Sequence, residues 1–231
     1  MKAFTLPNAK RLSVSADADA WAATVAQRVA GLIAETLAHQ AECRIVLAGG
    51  ATPRRCYTVL RGLPVEWARV QIYFGDERCL PAGDVRRNDS MARESLLQHI
   101  ALPDAQLHAI PAELGATMAA TQYSEQLAET DAFDLVLLGM GEDGHTASLF
   151  PENPALAANT LAVAVFDAPK PPPERVSLSF ATLNAARHKL FLVAGSGKRD
   201  ALQRIARGEQ LPAARIHHAE WYLDRDAMPH T

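Results

Sequence analysis

The 231-residue chain is predicted to be an α/β protein, a mostly parallel open sheet with helices on both faces. Three observations predict it. Apolar strand-like runs alternate with amphipathic helical stretches through most of the chain, the pattern of strand–helix–strand units. The run Phe133, Leu135, Val136, Leu137, Leu138 is interrupted only by Asp134 and stopped by Gly139. A strand that apolar is buried on both faces, as in a parallel sheet. Glycine-rich and polar clusters follow several of these runs directly, at the carboxyl ends where open α/β sheets place their sites.

No linker divides the sequence, so residues 1–231 are expected to form a single domain. A composition of 48% hydrophobic and 21% charged residues supplies a sizeable core in a soluble protein. Formal net charge is −3, without a basic block or aromatic–basic interleaving, which argues against nucleic acid as a partner. Cys43, Cys56 and Cys79 have neither zinc-site nor redox spacing and read as reduced thiols. The N-terminus lacks a secretory apolar core and no apolar run reaches membrane-spanning length, so a cytoplasmic protein is expected.

The elements follow in order. Residues 1–15 read as an extended entry or short strand. Residues 17–40 place Trp21, Val25, Val29, Leu32, Ile33 and Leu37 at helical spacing, a core-facing stripe. A strand over 44–48 enters Gly49-Gly50-Ala51-Thr52-Pro53, then a helix over 54–60 with Thr52 as its N-cap. Backbone N–H groups there suit an anion, although an ordinary tight turn reads the same way. A strand over 70–74 runs into the charged loop Asp76-Glu77-Arg78. Residues 89–99 read as helix, 107–110 as a short strand, and 114–129 as helix with Met118, Tyr123 and Leu127 in the core.

After the strand at 133–138 come Gly139, Gly141 and Gly144, with Glu142, Asp143, His145, Thr146 and Ser148 among and after them. Residues 148–151 are expected to close a short helix with Phe150 packed. Strands follow at 161–166 and 175–180, separated by a stiff loop at Lys170-Pro171-Pro172-Pro173. A turn or short helix over 184–189 leads to a strand at 190–193. Gly195-Ser196-Gly197-Lys198 opens a helix to 207, with Lys198 placed to meet an anion. A strand at 219–223 precedes a frayed tail.

Gly-x-Gly-x-x-Gly alone fits a dinucleotide fingerprint, but weakly, and a lone loop histidine is more often a surface residue. The whole string GMGEDGHTASLFP, with Gly-Gly-Ala-Thr-Pro, Asp-Glu-Arg-x-x-Pro and the proline-rich approach to Arg175, is more specific. Four blocks in one order, between about residues 46 and 201, resemble the 6-phosphogluconolactonases. These lie in the family that also holds glucosamine-6-phosphate deaminase and ribose-5-phosphate isomerase.

The resemblance implies a Rossmann-like sugar-phosphate fold and hydrolysis of 6-phosphoglucono-δ-lactone, a step of the oxidative pentose phosphate pathway. It implies His145 as acid–base catalyst and Arg78 reaching the substrate, on the lactone oxygens; Asp143 would orient the imidazole, with capping of the loop as the alternative. Gly49, Gly50, Thr52, Asp76, Asn88, Gly141, Arg175 and Lys198 would bind substrate. The partner is a small phosphosugar lactone; no cofactor or metal is implied, and the chain would be a monomer or weak homo-oligomer.

Two departures from the pattern stand out. Ala51 replaces a usual hydroxyl residue. Arg86-Arg87-Asn88-Asp89-Ser90 replaces a common His-x-x-Ser-Asn segment and keeps the Asn. Alternatives are a deaminase or isomerase of the same fold and a non-catalytic sugar-phosphate sensor. A nucleophilic Ser148 would be an internal rival, but no Gly-x-Ser-x-Gly elbow occurs.

Overall fold

The computed structural model describes residues 4–229. Along the chain come β1 (Ala9–Ser15), α1 (Ala18–Leu37), β2 (Cys43–Leu47), α2 (Ala51–Leu60), β3 (Val70–Phe74) and β4 (Asp76–Arg78). Then follow α3 (Asn88–Ser95), β5 (Leu107–His108), α4 (Ala116–Ala128), β6 (Leu135–Gly139), β7 (Ala162–Val165) and β8 (Arg175–Leu178). The last are α5 (Phe180–Ala185), β9 (His188–Val193), α6 (Arg199–Ala206) and β10 (Ala219–Asp224).

Seven strands form one sheet in the order β1-β10-β9-β6-β2-β3-β5, and every pairing is parallel. From β2 the chain steps outward to β3 and β5. It then returns to the other side of β2 with β6 and continues through β9 and β10. The order therefore reverses between β2 and β6. Loops leaving such neighbours diverge, which opens a crevice at their carboxyl ends.

The central strands are apolar on both faces. Ile45, Val46 and Leu47 of β2 and Leu135 to Leu138 of β6 are all buried. Helix α1 buries the predicted stripe from Trp21 to Leu37 and is capped by Asp17, whose Oδ1 accepts from Asp19 N and Ala20 N. The Trp21 indole is satisfied by donating to Tyr222 O at 2.9 Å.

A second sheet, absent from the sequence reading, is antiparallel in the order β4-β8-β7. Asp76-Glu77-Arg78, expected as a loop, is one of its edge strands. Buried backbone needs hydrogen-bond partners, and β8 supplies them, with Glu77 opposite Val176 and Arg78 opposite Arg175. All four residues of β8 are buried rather than alternating in and out. Helix α4 packs on β7 and β8. Its Tyr123 hydroxyl donates to Phe74 O at 3.0 Å and accepts from Phe74 N at 3.2 Å.

Other expectations change too. Gly50, not Thr52, is the N-cap of α2, and Thr52 lies in its first turn. Gly50 has φ 107°, a conformation that favours glycine. Met118 is 55% exposed, on the solvent face of α4. Residues 148–151 form no helix. Thr146 and Leu149 make an isolated bridge, and Phe150 packs with Ala155, Val165 and Ala168. The helix expected near 184–189 falls earlier, as α5. Past β10 the chain forms a 3-10 turn, Arg225–Ala227, capped by Asp224, and the last of the expected tail, residues 230–231, lies outside the described residues.

Candidate active site

A cavity of about 350 Å³ occupies the crevice between the carboxyl ends of β2 and β6. Every sequence-predicted site residue except Asp143 lines it, and Asp143 is bonded to one that does. Residues from six separated stretches of the chain meet there because the strand order reverses at that point.

The turn after β6 carries a carboxylate–imidazole pair. Asp143 Oδ1 lies 2.5 Å from His145 Nδ1 and also accepts the His145 backbone N–H at 3.2 Å. Burial pushes the Asp143 carboxyl up, but the hydrogen bond and charge of His145 outweigh it, and the group is held at about 2. An ionised carboxylate only accepts, so Nδ1 carries the proton in the neutral ring and Nε2 is the basic nitrogen. The ring also lies against Phe150, with centroids 4.5 Å apart.

Gly141 makes room for this pair. A Cβ there would sit 2.1 Å from His145 Nδ1 and 2.5 Å from Asp143 Oδ1. Gly141 N donates to His145 O at 2.8 Å, which folds the turn back on itself. Only a residue without a Cβ allows this close approach.

The turn after β2 brings Gly49, Gly50 and the first turn of α2 to the same cavity. The first N–H groups of a helix lack intrahelical acceptors and favour anions. Gly49 is also sterically forced, since a Cβ would come 1.9 Å from Asn88 Oδ1.

Cationic groups complete the wall: Arg78, Lys170, Arg175 and Lys198. Burial lowers the pKa of Lys198; Glu142 opposes the shift and Lys170 adds to it. Arg175 Nη2 donates to Lys170 O at 2.8 Å and Nε to Pro172 O at 3.2 Å, so Arg175 holds the proline-rich loop. Its guanidinium carbon also sits 5.4 Å from the Phe150 ring centre. Lys170 Nζ in turn lies 3.6 Å from Glu142 Oε2.

Beneath this wall is a polar hub. Asp76 Oδ2 accepts the Ser148 hydroxyl at 2.6 Å, while Asn88 Nδ2 donates to Asp76 O at 2.9 Å and to Oδ1 at 3.2 Å. Ser148 is fully buried with its proton directed to Asp76, which removes the geometry of a nucleophile activated by His145. Glu77 is buried beside the hub, and burial pushes its carboxyl up to about 7 against backbone hydrogen bonds that lower it.

Sequence reasoning gave no role in the site to Lys170, Glu142 or Glu77, and considered Ser148 only as a rival nucleophile. Lys170 carried a signal, a cation at the head of a stiff loop that precedes Arg175. Ser148 and Glu142 carried none, because their partners Asp76 and Lys170 lie far away in sequence. Among the described residues, no group of three or more His, Cys, Asp or Glu side chains is arranged to hold a metal ion.

Fold and site together define an α/β enzyme with an imidazole–carboxylate pair and a cationic, anion-receiving wall in one crevice. The sequence model described as glucosamine-6-phosphate isomerases/6-phosphogluconolactonase matches residues 16–223, and the chain belongs to that family. It is 36% identical to the 6-phosphogluconolactonase of Mycobacterium tuberculosis, over 94% of this chain and 96% of that protein. The 6-phosphogluconolactonase structure from Thermotoga maritima superposes with a TM-score of 0.87 at 27% identity, covering 93% of this chain and 99% of that one. A monomeric glucosamine-6-phosphate deaminase has the same fold, with a TM-score of 0.82 at 19% identity over 94% of this chain and 98% of that one. The fold therefore leaves the choice of chemistry to the site.

Proposed function

We propose that this chain is a 6-phosphogluconolactonase, hydrolysing 6-phosphoglucono-δ-lactone to 6-phosphogluconate in the oxidative pentose phosphate pathway. The observation that carries the reading is the Asp143–His145 pair on the wall of a cavity that also holds the N-terminus of α2 and several cations. A δ-lactone is an activated ester. Its hydrolysis requires a held phosphate, an oriented water and a stabilised oxyanion.

Neutral His145 takes a proton at Nε2 from the water that attacks C1. The tetrahedral oxyanion forms beside Arg78. As it collapses, the bond from C1 to the ring oxygen breaks and His145 returns the proton to that oxygen. Asp143 fixes the ring and stabilises the transient imidazolium. Gly49, Gly50, Thr52 and Lys198 receive the phosphate; Arg175 adds charge and holds the loop of Lys170. Asp76, Asn88 and Gly141 shape the sugar subsite. The reaction consumes only water, so no cofactor is required.

Residues 1–231 act as one domain, as a monomer or weak homo-oligomer, in the cytoplasm and without nucleic acid. That no helix among the described residues is long and apolar enough to cross a membrane accords with this reading. A pH-stat assay with freshly made lactone tests the function directly. Proton release at the spontaneous rate, with folded protein present, would overturn it.

A further inference from the structure

Several buried ionisable groups beside the site, Glu77, Arg87 and Asp89, have no part in the proposed mechanism. Glu77 is 1% exposed and is not among the residues that line the cavity. Its Oε1 accepts the backbone N–H of Arg78 at 2.8 Å and of Asn88 at 2.7 Å. Its Oε2 accepts the backbone N–H of Asp89 at 2.9 Å and lies 3.7 Å from Arg87 Nε. One carboxylate thus joins β4 to the first turn of α3, ten residues farther along the chain.

Both joined segments carry cavity residues. Arg78 and Asn88 line the site, and the Asn88 side chain grips Asp76. Arg78 has little side-chain anchorage of its own. Its Nη1 donates to Arg86 O, while its buried Nε has no hydrogen-bond partner. The aim of the Arg78 guanidinium therefore depends on its backbone, which Glu77 holds. Arg87, at the N-cap of α3, completes the arrangement by pairing with Asp89 at 3.0 Å and Glu113 at 2.7 Å.

We propose that Glu77 is a positioning residue of this site, its carboxylate setting the spacing between Arg78 and Asn88 so that both meet the substrate together. The inference rests on the lactonase reading for its kinetics, but not for its geometry. A fold-stabilising glutamate needs only a satisfied carboxylate. This one spends three acceptor contacts on the two segments that supply the reacting end of the cavity.

The test is a double-mutant cycle on lactone hydrolysis. Glu77→Gln keeps the shape but replaces one acceptor oxygen by a donor, which then faces a backbone N–H. Its kcat/KM is expected to fall roughly 10- to 100-fold, the cost of leaving a buried backbone N–H without its acceptor. Asn88→Ala and Arg78→Ala remove side chains yet leave the backbone N–H groups bound by Glu77. In either background Glu77→Gln is expected to cost at least about threefold less than in wild type. Equal costs in all backgrounds would make Glu77 fold glue and overturn the proposal.

A readout without turnover separates this from the activity reading. In wild type, the amides of Arg78, Asn88 and Asp89 should exchange with solvent as one protected class, and the Asn88 side-chain amide should give a single sharp pair of NMR signals. Glu77→Gln should weaken the protection of the amide that faces the new side-chain nitrogen and shift that pair. Unprotected amides in wild type would overturn the proposal even if the variant cannot be folded. Absence of wild-type lactone hydrolysis, with the three amides protected and the Asn88 pair shifted in Glu77→Gln, would overturn the activity reading alone.

Discussion

Asp143 binds His145 twice through one oxygen, Oδ1, which lies 2.5 Å from the ring Nδ1 and 3.2 Å from the backbone nitrogen. The two contacts use a spacing of only two residues. The backbone bond fixes where the carboxylate sits, and the ring bond then fixes the imidazole. Gly141 leaves the space that both need. The acid–base group is thus oriented within one tight turn, independently of the rest of the cavity.

His145→Ala should therefore lower kcat by roughly 10²–10⁴, the usual contribution of a general acid–base, with little change in KM. Asp143→Asn should lower kcat less, because the imidazole remains but its tautomer is no longer set. Steady-state rates on fresh lactone, corrected for spontaneous hydrolysis, decide it. Near-wild-type kcat in His145→Ala would remove this residue from the mechanism.

The same pair has a pH signature in stability. The Asp143 carboxyl is held at about 2 in the folded protein, below the roughly 3.9 of an unfolded chain. A lowered carboxylate pKa means that the unfolded state binds the proton more readily. The stabilisation is present above pH ~3.9 and disappears as pH falls through about 2. Thermal melts of wild type and Asp143→Asn should differ at pH 5 and converge toward pH 2. A gap that widens on acidification would contradict the assignment.

Much of this site was legible in sequence because its parts are local. The Gly-rich turn after β6, the Gly-Gly turn before α2 and the Gly turn before Lys198 each combine a strand end with its own ligand groups over a few residues. The second sheet was not legible. Asp76-Glu77-Arg78 has the composition of a loop, and it becomes a strand only because β8, a hundred residues away, satisfies its backbone. Met118 shows the same limit in reverse. Its helical position suggested core, but α4 turns that face to solvent and packs through Ala119, Tyr123 and Leu127. The exchange of a common His-x-x-Ser-Asn for Arg86-Arg87-Asn88-Asp89-Ser90 also becomes clear. Arg87 is 2% exposed and holds Asp89, Glu113 and two carbonyls, so it builds the loop and does not face the substrate.

The cationic wall yields a prediction that separates two kinds of cation. Lys198→Ala and Arg175→Ala should each reduce kcat/KM far more for the phosphorylated lactone than for plain gluconolactone. A charge-assisted phosphate contact contributes about 1.5–3 kcal/mol. Arg175→Ala should also cost some thermal stability, since it frees the carbonyls of Lys170 and Pro172, whereas Lys198→Ala should not. Equal losses on both lactones would mean that these cations do not sense the phosphate.

The last prediction concerns lactonase against deaminase, which share a fold and the Gly-x-Gly-x-Asp-Gly-His turn. The residues around the turn differ. The deaminase pattern continues past the His as Ala-Phe-Asn-Glu, with that Glu setting the His for ring opening. Here Thr146-Ala147-Ser148-Leu149-Phe150-Pro151 follow, and the next carboxylate, Glu152, is not among the residues lining the cavity. The deaminase strand end reads Asp-Glu-Tyr, its Asp abstracting a proton from carbon. Here Arg78 takes the Tyr position, and Asp76 is already engaged by Ser148 and Asn88. With one oxygen held by the Ser148 hydroxyl and the other by the Asn88 side chain, Asp76 is not free to face a carbon-bound proton. The same Arg78 suits the oxyanion of an opening lactone. Rapid lactone hydrolysis is expected, with no ammonia from glucosamine 6-phosphate even when an N-acetylated activator is present. Ammonia release above a His145→Ala control, with lactone hydrolysis at background, would reverse the assignment and leave the fold untouched.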